Sequence, residues 1–131
     1  LHDTDALLHD RKVLIVDDDM RTTFAVARLL AERGMQPLKA ENGERALRLL
    51  AENPDVALVL MDIMMPVMDG YETMARIRSQ DQFRDLPILA LTAKAMPEDR
   101  EKCLAAGASD YMPKPVDQTR LLSMMRVWLY R

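Results

Sequence analysis

Three continuous apolar runs constrain this chain most: Val13-Leu14-Ile15-Val16, Ala57-Leu58-Val59-Leu60-Met61 and Ile88-Leu89-Ala90-Leu91. Runs this short and this apolar suit strands buried on both faces. Each ends abruptly at a polar residue, at Asp17, Asp62 and Thr92. Between them the apolar spacing changes to that of helices. Over 20–33, Met20, Phe24 and Ala27 recur at helical spacing, with Val26, Leu29 and Leu30 widening the stripe, and Gly34 stops the helix. A weaker strand is expected over 35–40 and a helix over 44–52, with Ala46, Leu47 and Leu50 inward. Further helices are read at 71–78, 97–106 and 117–130, and a short strand at 110–112. Met74 and Ile77 face the core from the first of these, and Leu121, Leu122, Met125 and Trp128 from the last.

Strands alternating with helices across short loops imply a parallel sheet covered on both faces. Right-handed crossovers prune the topologies. The expectation is an α/β, doubly wound, five-stranded sheet in the flavodoxin-like order 2-1-3-4-5 with five helices. The 131 residues fit one domain. Residues 1–11 read as a linker or tail and 12–131 as the folded domain. His2 and His9 lie in that tail, where solvated side chains are expected rather than a metal pair.

Composition removes several classes. A net charge of -3 argues against a strongly basic nucleic-acid-binding domain, so no direct nucleic-acid contact is expected. The chain is 49% hydrophobic, too apolar for a disordered segment. No apolar run approaches a membrane span, and the start of the chain lacks a signal-peptide apolar region. The single cysteine, Cys103, fits a reducing, cytoplasmic setting and reads as a small buried hydrophobe. Met20, Met61, Met74 and Met125 are expected on apolar faces, while Met64, Met65 and Met68 lie near the polar strand ends. Glu98 and Lys102 read as a solvated helix pair.

The polar residues collect at the carboxyl ends of strands, where ligands bind in this architecture. Asp17 and Asp18 follow strand one, Asp62 strand three, Thr92 and Ala93 strand four, and Lys114 strand five. Three carboxylates in one crevice repel, so either a proton or a cation joins them. Mg²⁺ suits one or two carboxylates plus waters and phosphate oxygens. A carboxylate can attack phosphorus, Lys114 supplies positive charge, and Thr92 and the Ala93 amide can donate hydrogen bonds. Taken singly, each residue has a plainer reading: Asp19 caps a helix, Thr92 is a turn hydroxyl, Lys114 a solvated turn residue.

Four segments carry a resemblance: VLIVDDD (13–19), LVLMDIMMPVMDG (58–70), LALTAKA (89–95) and YMPKPV (111–116). In this order at strand ends they resemble the response-regulator receiver domain of two-component signalling, a CheY-like fold. The resemblance implies that Asp17 and Asp18 hold Mg²⁺ and that Asp62 is the phospho-acceptor and a metal ligand. It places the metal-binding backbone carbonyl at Met64, the switch hydroxyl at Thr92 and the phosphoryl-facing amide at Ala93. The lysine falls at Lys114, before a cis peptide at Pro115, and the aromatic switch at Tyr111. Asp19 and Pro113 are less typical of the family.

The implied partners are a histidine kinase or a histidine phosphotransfer domain, with a possible homodimer through helix 4, strand 5 and helix 5. No membrane contact by this domain is expected, though a parent kinase would tether it. The stretch from Leu91 to Val116 is most similar to receivers at the C-terminal end of hybrid sensor histidine kinases. The isolated domain is then no classical enzyme, although the parent would be a kinase. With the last helix closing the chain, the signal is expected to leave by phosphotransfer or by the domain's own surface, unless this is one piece of a longer protein. Two other readings compete. A small haloacid-dehalogenase-type phosphatase would use Asp17 as nucleophile with Asp19 as acid, but Arg21 fits its pattern poorly. A degenerate receiver would act as an interaction module alone.

Overall fold

The computed structural model describes residues 6–93 and 96–130. Five parallel strands lie in the order β2-β1-β3-β4-β5. They are β1 (Lys12–Val16), β2 (Gln36–Ala40), β3 (Leu58–Asp62), β4 (Ile88–Thr92) and β5 (Asp110–Pro113). The helices are α1 (Met20–Glu32), α2 (Gly43–Glu52), α3 (Gly70–Arg78), α4 (Pro97–Ala105) and α5 (Gln118–Leu129). The doubly wound sheet expected from the alternation is thus the observed one.

Period-two alternation along each central strand builds two cores. Leu14, Val16, Val59, Met61, Ile88 and Ala90 face the side covered by α2, α3 and α4. Val13, Ile15, Leu58, Leu60, Leu89 and Leu91 face α1 and α5. Burying each of the larger side chains contributes roughly 1.5–3 kcal/mol, which is why these runs carry no polar residue until their carboxyl ends. Asx side chains start four of the helices. Asp19, Asn42, Asp69 and Asp117 accept from the backbone N–H of Arg21, Arg45, Glu72 and Thr119 at 2.8–3.0 Å. Each cap satisfies a helix donor that has no partner within the helix.

Two expectations need correction. Met20 and Phe24 are not core residues; they are 59% and 67% exposed. The buried face of α1 runs instead through Thr23, Val26, Ala27, Leu29 and Leu30. Polar Thr23 takes the inward position because its hydroxyl donates to the carbonyls of Asp17 at 3.3 Å and Asp19 at 3.2 Å. Phe24, one residue on, is turned outward, where Lys39 of β2 lies 5.1 Å from its ring centre.

The segment read as a tail is also anchored. Leu8 is fully buried in the core beneath α1 and α5. The Asp10 N–H donates to Gly34 O at 2.7 Å. His9 is exposed beside Asp10, as a solvated side chain should be, while His2 lies outside the described residues. Trp128 is only half-buried, and Leu129 is the deeper residue. Cys103 is fully buried, which pushes its thiol upward. Lys102 sits over the Tyr71 ring at 4.9 Å.

Candidate functional site

The site lies at the carboxyl edge, beside the switch point where β1 pairs with both β2 and β3. Asp17 directly follows β1 and Asp62 ends β3, so adjacency of the two strands brings the acids together. Both are almost fully buried, at 1% and 3% exposure, whereas Asp18 is exposed. One carboxylate oxygen from each of Asp17, Asp18 and Asp62 falls within a 4.8 Å cluster.

Lys114 joins them from the end of β5. It follows β5, where its backbone N–H donates to Thr92 O at 2.7 Å. Its Nζ lies 3.0 Å from Asp17 Oδ2 and 3.0 Å from Asp62 Oδ1. The Lys114–Pro115 peptide is cis, as the resemblance implies. Pro113 is the last residue of edge strand β5, where a missing donor does little harm.

The electrostatics follow from this packing. Burial drives the Asp62 carboxyl upward; the hydrogen bond from Lys114 pulls it down, and the Asp17 charge pushes it up. It settles at about 6. Burial works against the Lys114 ammonium, but its hydrogen bonds to Asp17 and Asp62 outweigh that and raise it. One lysine between two buried carboxylates therefore leaves an excess of negative charge.

A hard divalent cation fits this donor set. Its three carboxylates supply oxygen ligands, and the exposed Asp18 leaves one side open to the waters such an ion retains. The site of such an ion would be made by Asp17, Asp18 and Asp62. Met64, two residues past Asp62, has an exposed side chain.

Thr92 is buried at the end of β4, one residue beyond Leu91, the register partner of Asp62. Ala93 follows it and is exposed. Tyr111 is half-buried on β5 against the core beneath α2, α3 and α4. Lys94 lies outside the described residues. Asp17, Asp18, Asp62, Thr92, Ala93 and Lys114 thus stand at the carboxyl edge of the sheet, whereas Tyr111, level with Ala90, stands short of it.

Reading the sequence overlooked two supports. The Asp19 N–H donates to Asp17 Oδ1 at 2.8 Å, so the acid triplet orients its own first member. Thr23, through the two carbonyl bonds described above, ties that triplet to α1. Threonine inside an apolar stripe was the available signal for the second. No sequence signal marked the first, because a backbone donor carries none.

Comparison with known proteins agrees with this geometry. The family model for the response regulator receiver domain matches residues 13–126. The chain is 42% identical over 120 residues to response regulator MprA of Mycobacterium sp. (strain KMS), covering 92% of this chain and 51% of that protein. It is 39% identical over 120 residues to transcriptional regulatory protein CpxR of Klebsiella pneumoniae, covering 92% and 50%. The chain therefore spans about half the length of these curated relatives.

Among solved structures it is similar to the receiver domain of sensor histidine kinase PA1611 from Pseudomonas aeruginosa, which holds a magnesium ion in its active-site cleft. That match has a TM-score of 0.84 and 34% identity, covering 93% of this chain and 99% of the other. A similar match is chemotaxis response regulator CheY4 of Vibrio cholerae, with a TM-score of 0.85 and 32% identity over 91% and 98%. On the family model and these relatives together, the chain belongs to the response regulator receiver domain family.

Proposed function

We propose that the chain is a phospho-acceptor: Asp62 takes a phosphoryl group from a phosphohistidine, and the loaded site switches a partner-binding surface. The observation that carries this reading is the Lys114 ammonium, 3.0 Å from both Asp17 and Asp62, in a crevice with three clustered acids. A carboxyl held at about 6 is mostly ionised at neutral pH and is thus nucleophilic there. Its oxygen forms the new bond to phosphorus. The bond from phosphorus to the donor nitrogen breaks, and its electron pair stays on the imidazole.

Lys114 offsets the charge that gathers on the phosphoryl oxygens, while the Thr92 hydroxyl and Ala93 amide donate to them. Asp17, Asp18, Asp62 and the Met64 carbonyl would hold Mg²⁺, which when bound neutralises phosphoryl charge. The magnesium in the Pseudomonas aeruginosa receiver supports that assignment. Movement of Thr92 toward the phosphoryl group and of Tyr111 into the space left would then alter the α4-β5-α5 surface, including any homodimer formed there.

Receiver domains work with histidine kinases or phosphotransfer partners, and either class would be the donor here. The similar proteins include a receiver from a sensor histidine kinase and receivers of response regulators. Two observations favour this over a phosphatase built on Asp17. The Asp17 carboxylate is engaged by the Asp19 N–H and Lys114, and the Asp19 carboxylate caps α1. Among the described residues, no helix is long and apolar enough to cross a membrane. The test is incubation with a small acyl phosphate and Mg²⁺. One phosphoryl group per chain is expected, and none on Asp62→Asn. Stoichiometric labelling of that variant, or repeated turnover of a phosphate ester, would overturn the reading.

A further inference from the structure

Gly34 and Gly107 sit at φ +85° and +120°, where a side chain is strained, and each follows a helix end. Gly70, the first residue of α3, has no such backbone requirement. Its reason is space. A Cβ on Gly70 would overlap the carbonyl oxygen of Asp62 and stand 2.7 Å from Ile63 Cα. Both are backbone atoms of the strand end that carries the acceptor, so neither can rotate aside. The Gly70 N–H also donates to Ile63 O at 2.9 Å, closing the loop from β3 back onto itself.

From this we infer that Gly70 is a positioning residue for the phospho-acceptor: its bare Cα lets α3 rest on the Asp62–Ile63 backbone, and that contact sets where the Asp62 carboxyl stands. The inference rests on Asp62 being the acceptor. Adding a Cβ forces the two backbones apart by roughly 1 Å to reach an ordinary carbon–carbon separation. The Asp62 side chain is held at 3.0 Å from Lys114, so a displacement of that size moves it off its partner. A misplacement of about 1 Å in a reacting group can cost on the order of a hundredfold in rate.

Gly43 supplies the control. A Cβ there would meet Thr73 Oγ1 and, at 2.6 Å, Met68 Sδ. These are side-chain atoms rather than backbone of the acceptor strand; Thr73 is buried and bonded to Asp69 O at 2.8 Å, so Gly43→Ala costs stability, as Gly70→Ala does, without pressing on the Asp62 backbone. Gly70→Ala and Gly43→Ala are therefore compared with the unmodified chain, using acetyl phosphate and saturating Mg²⁺. Thermal melting is followed alongside. Gly70→Ala is expected to lower the maximal loading rate at least about tenfold, with the half-saturating donor concentration within about twofold. Gly43→Ala is expected to stay within about twofold of the unmodified rate, since it moves no reacting group.

Loading of Gly70→Ala at the unmodified rate, or an equal fall in both variants, overturns the proposal. Should Gly70→Ala not fold, the unmodified chain decides through its backbone amide resonances on addition of beryllofluoride and Mg²⁺. The Gly70 resonance is expected to shift well beyond that of Gly43, and an unmoved Gly70 overturns the proposal. An unmodified chain that takes no phosphoryl group fails the acceptor reading itself, and this proposal with it.

Discussion

Replacing Asp62 by Asn is expected to stabilise the metal-free protein at neutral pH, although it removes a partner of Lys114. The Asp62 carboxyl stands at about 6 against an ordinary 3.8. Between those values the folded protein keeps a proton that the unfolded chain has released. The stability linked to that proton is fully present below 3.8 and is lost as pH rises through about 6. At about 1.4 kcal/mol per pH unit of separation, the ionised carboxylate costs the fold up to about 3 kcal/mol at pH 7. Lys114 is 24% exposed, so water reaches the crevice from its side. Screening by that water brings the figure down to about 1–2 kcal/mol.

Asparagine keeps the shape and cannot ionise. The stability difference between Asp62→Asn and the unmodified chain should therefore widen by about 1–2 kcal/mol from about pH 4.5 to about pH 7.5. For a domain of this size that is roughly 4–8 °C in Tm. Urea unfolding followed by far-UV circular dichroism across this range is the assay. Mg²⁺ at the upper pH should narrow the difference, because it stabilises only the ionised form. A difference that is flat with pH, or that shrinks as pH rises, refutes the argument.

Three further outcomes follow from the packing. Leu8→Ala should cost about 2–4 kcal/mol in urea unfolding, as expected for a fully buried leucine rather than a residue of a loose tail. Val67 sits at φ 68° with its side chain in water, closing a tight turn in which the Met68 N–H donates to Pro66 O at 2.8 Å. Val67→Gly, which has no Cβ to strain at that positive φ, should raise stability by about 1 kcal/mol in the same assay. The Arg78 guanidinium donates to Gly107 O at 2.9 Å and Phe83 O at 2.7 Å, tying α3 to the turns before β4 and β5. Arg78→Met should cost about 2–3 kcal/mol by leaving those carbonyls without their charged donor, and a melt unchanged from the unmodified chain would show that the tie is idle.

The strands and the acids were legible because burial on both faces leaves a mark that needs no long-range information. Val13 to Val16 and Leu58 to Met61 hold no polar residue, so Asp17, just past β1, and Asp62, the last residue of β3, announce the strand ends. Lys114 was found through its neighbours in sequence, and the fold then carried it to the acids. What escaped was decided by a helix rotation or by backbone contact. Met20 and Phe24 read as core by spacing alone, yet Thr23 turned the stripe by making bonds that spacing does not encode. Leu8 looked isolated because the core it enters is built from residues far along the chain. Gly70 gave no sign of its contact with the acceptor strand, since the Asp62 carbonyl it accommodates meets it only once α3 is packed.

The central claim is that this crevice makes Asp62, and no other acid, the group that takes phosphoryl. The direct measurement is to load the unmodified chain with acetyl phosphate and Mg²⁺, trap the acyl phosphate by borohydride reduction, and map the reduced residue by peptide mass spectrometry. Reduction turns the loaded aspartate into homoserine, which marks its position. The account predicts homoserine at position 62 alone, whereas homoserine at Asp17 or Asp18, or a chain that carries none, would contradict it.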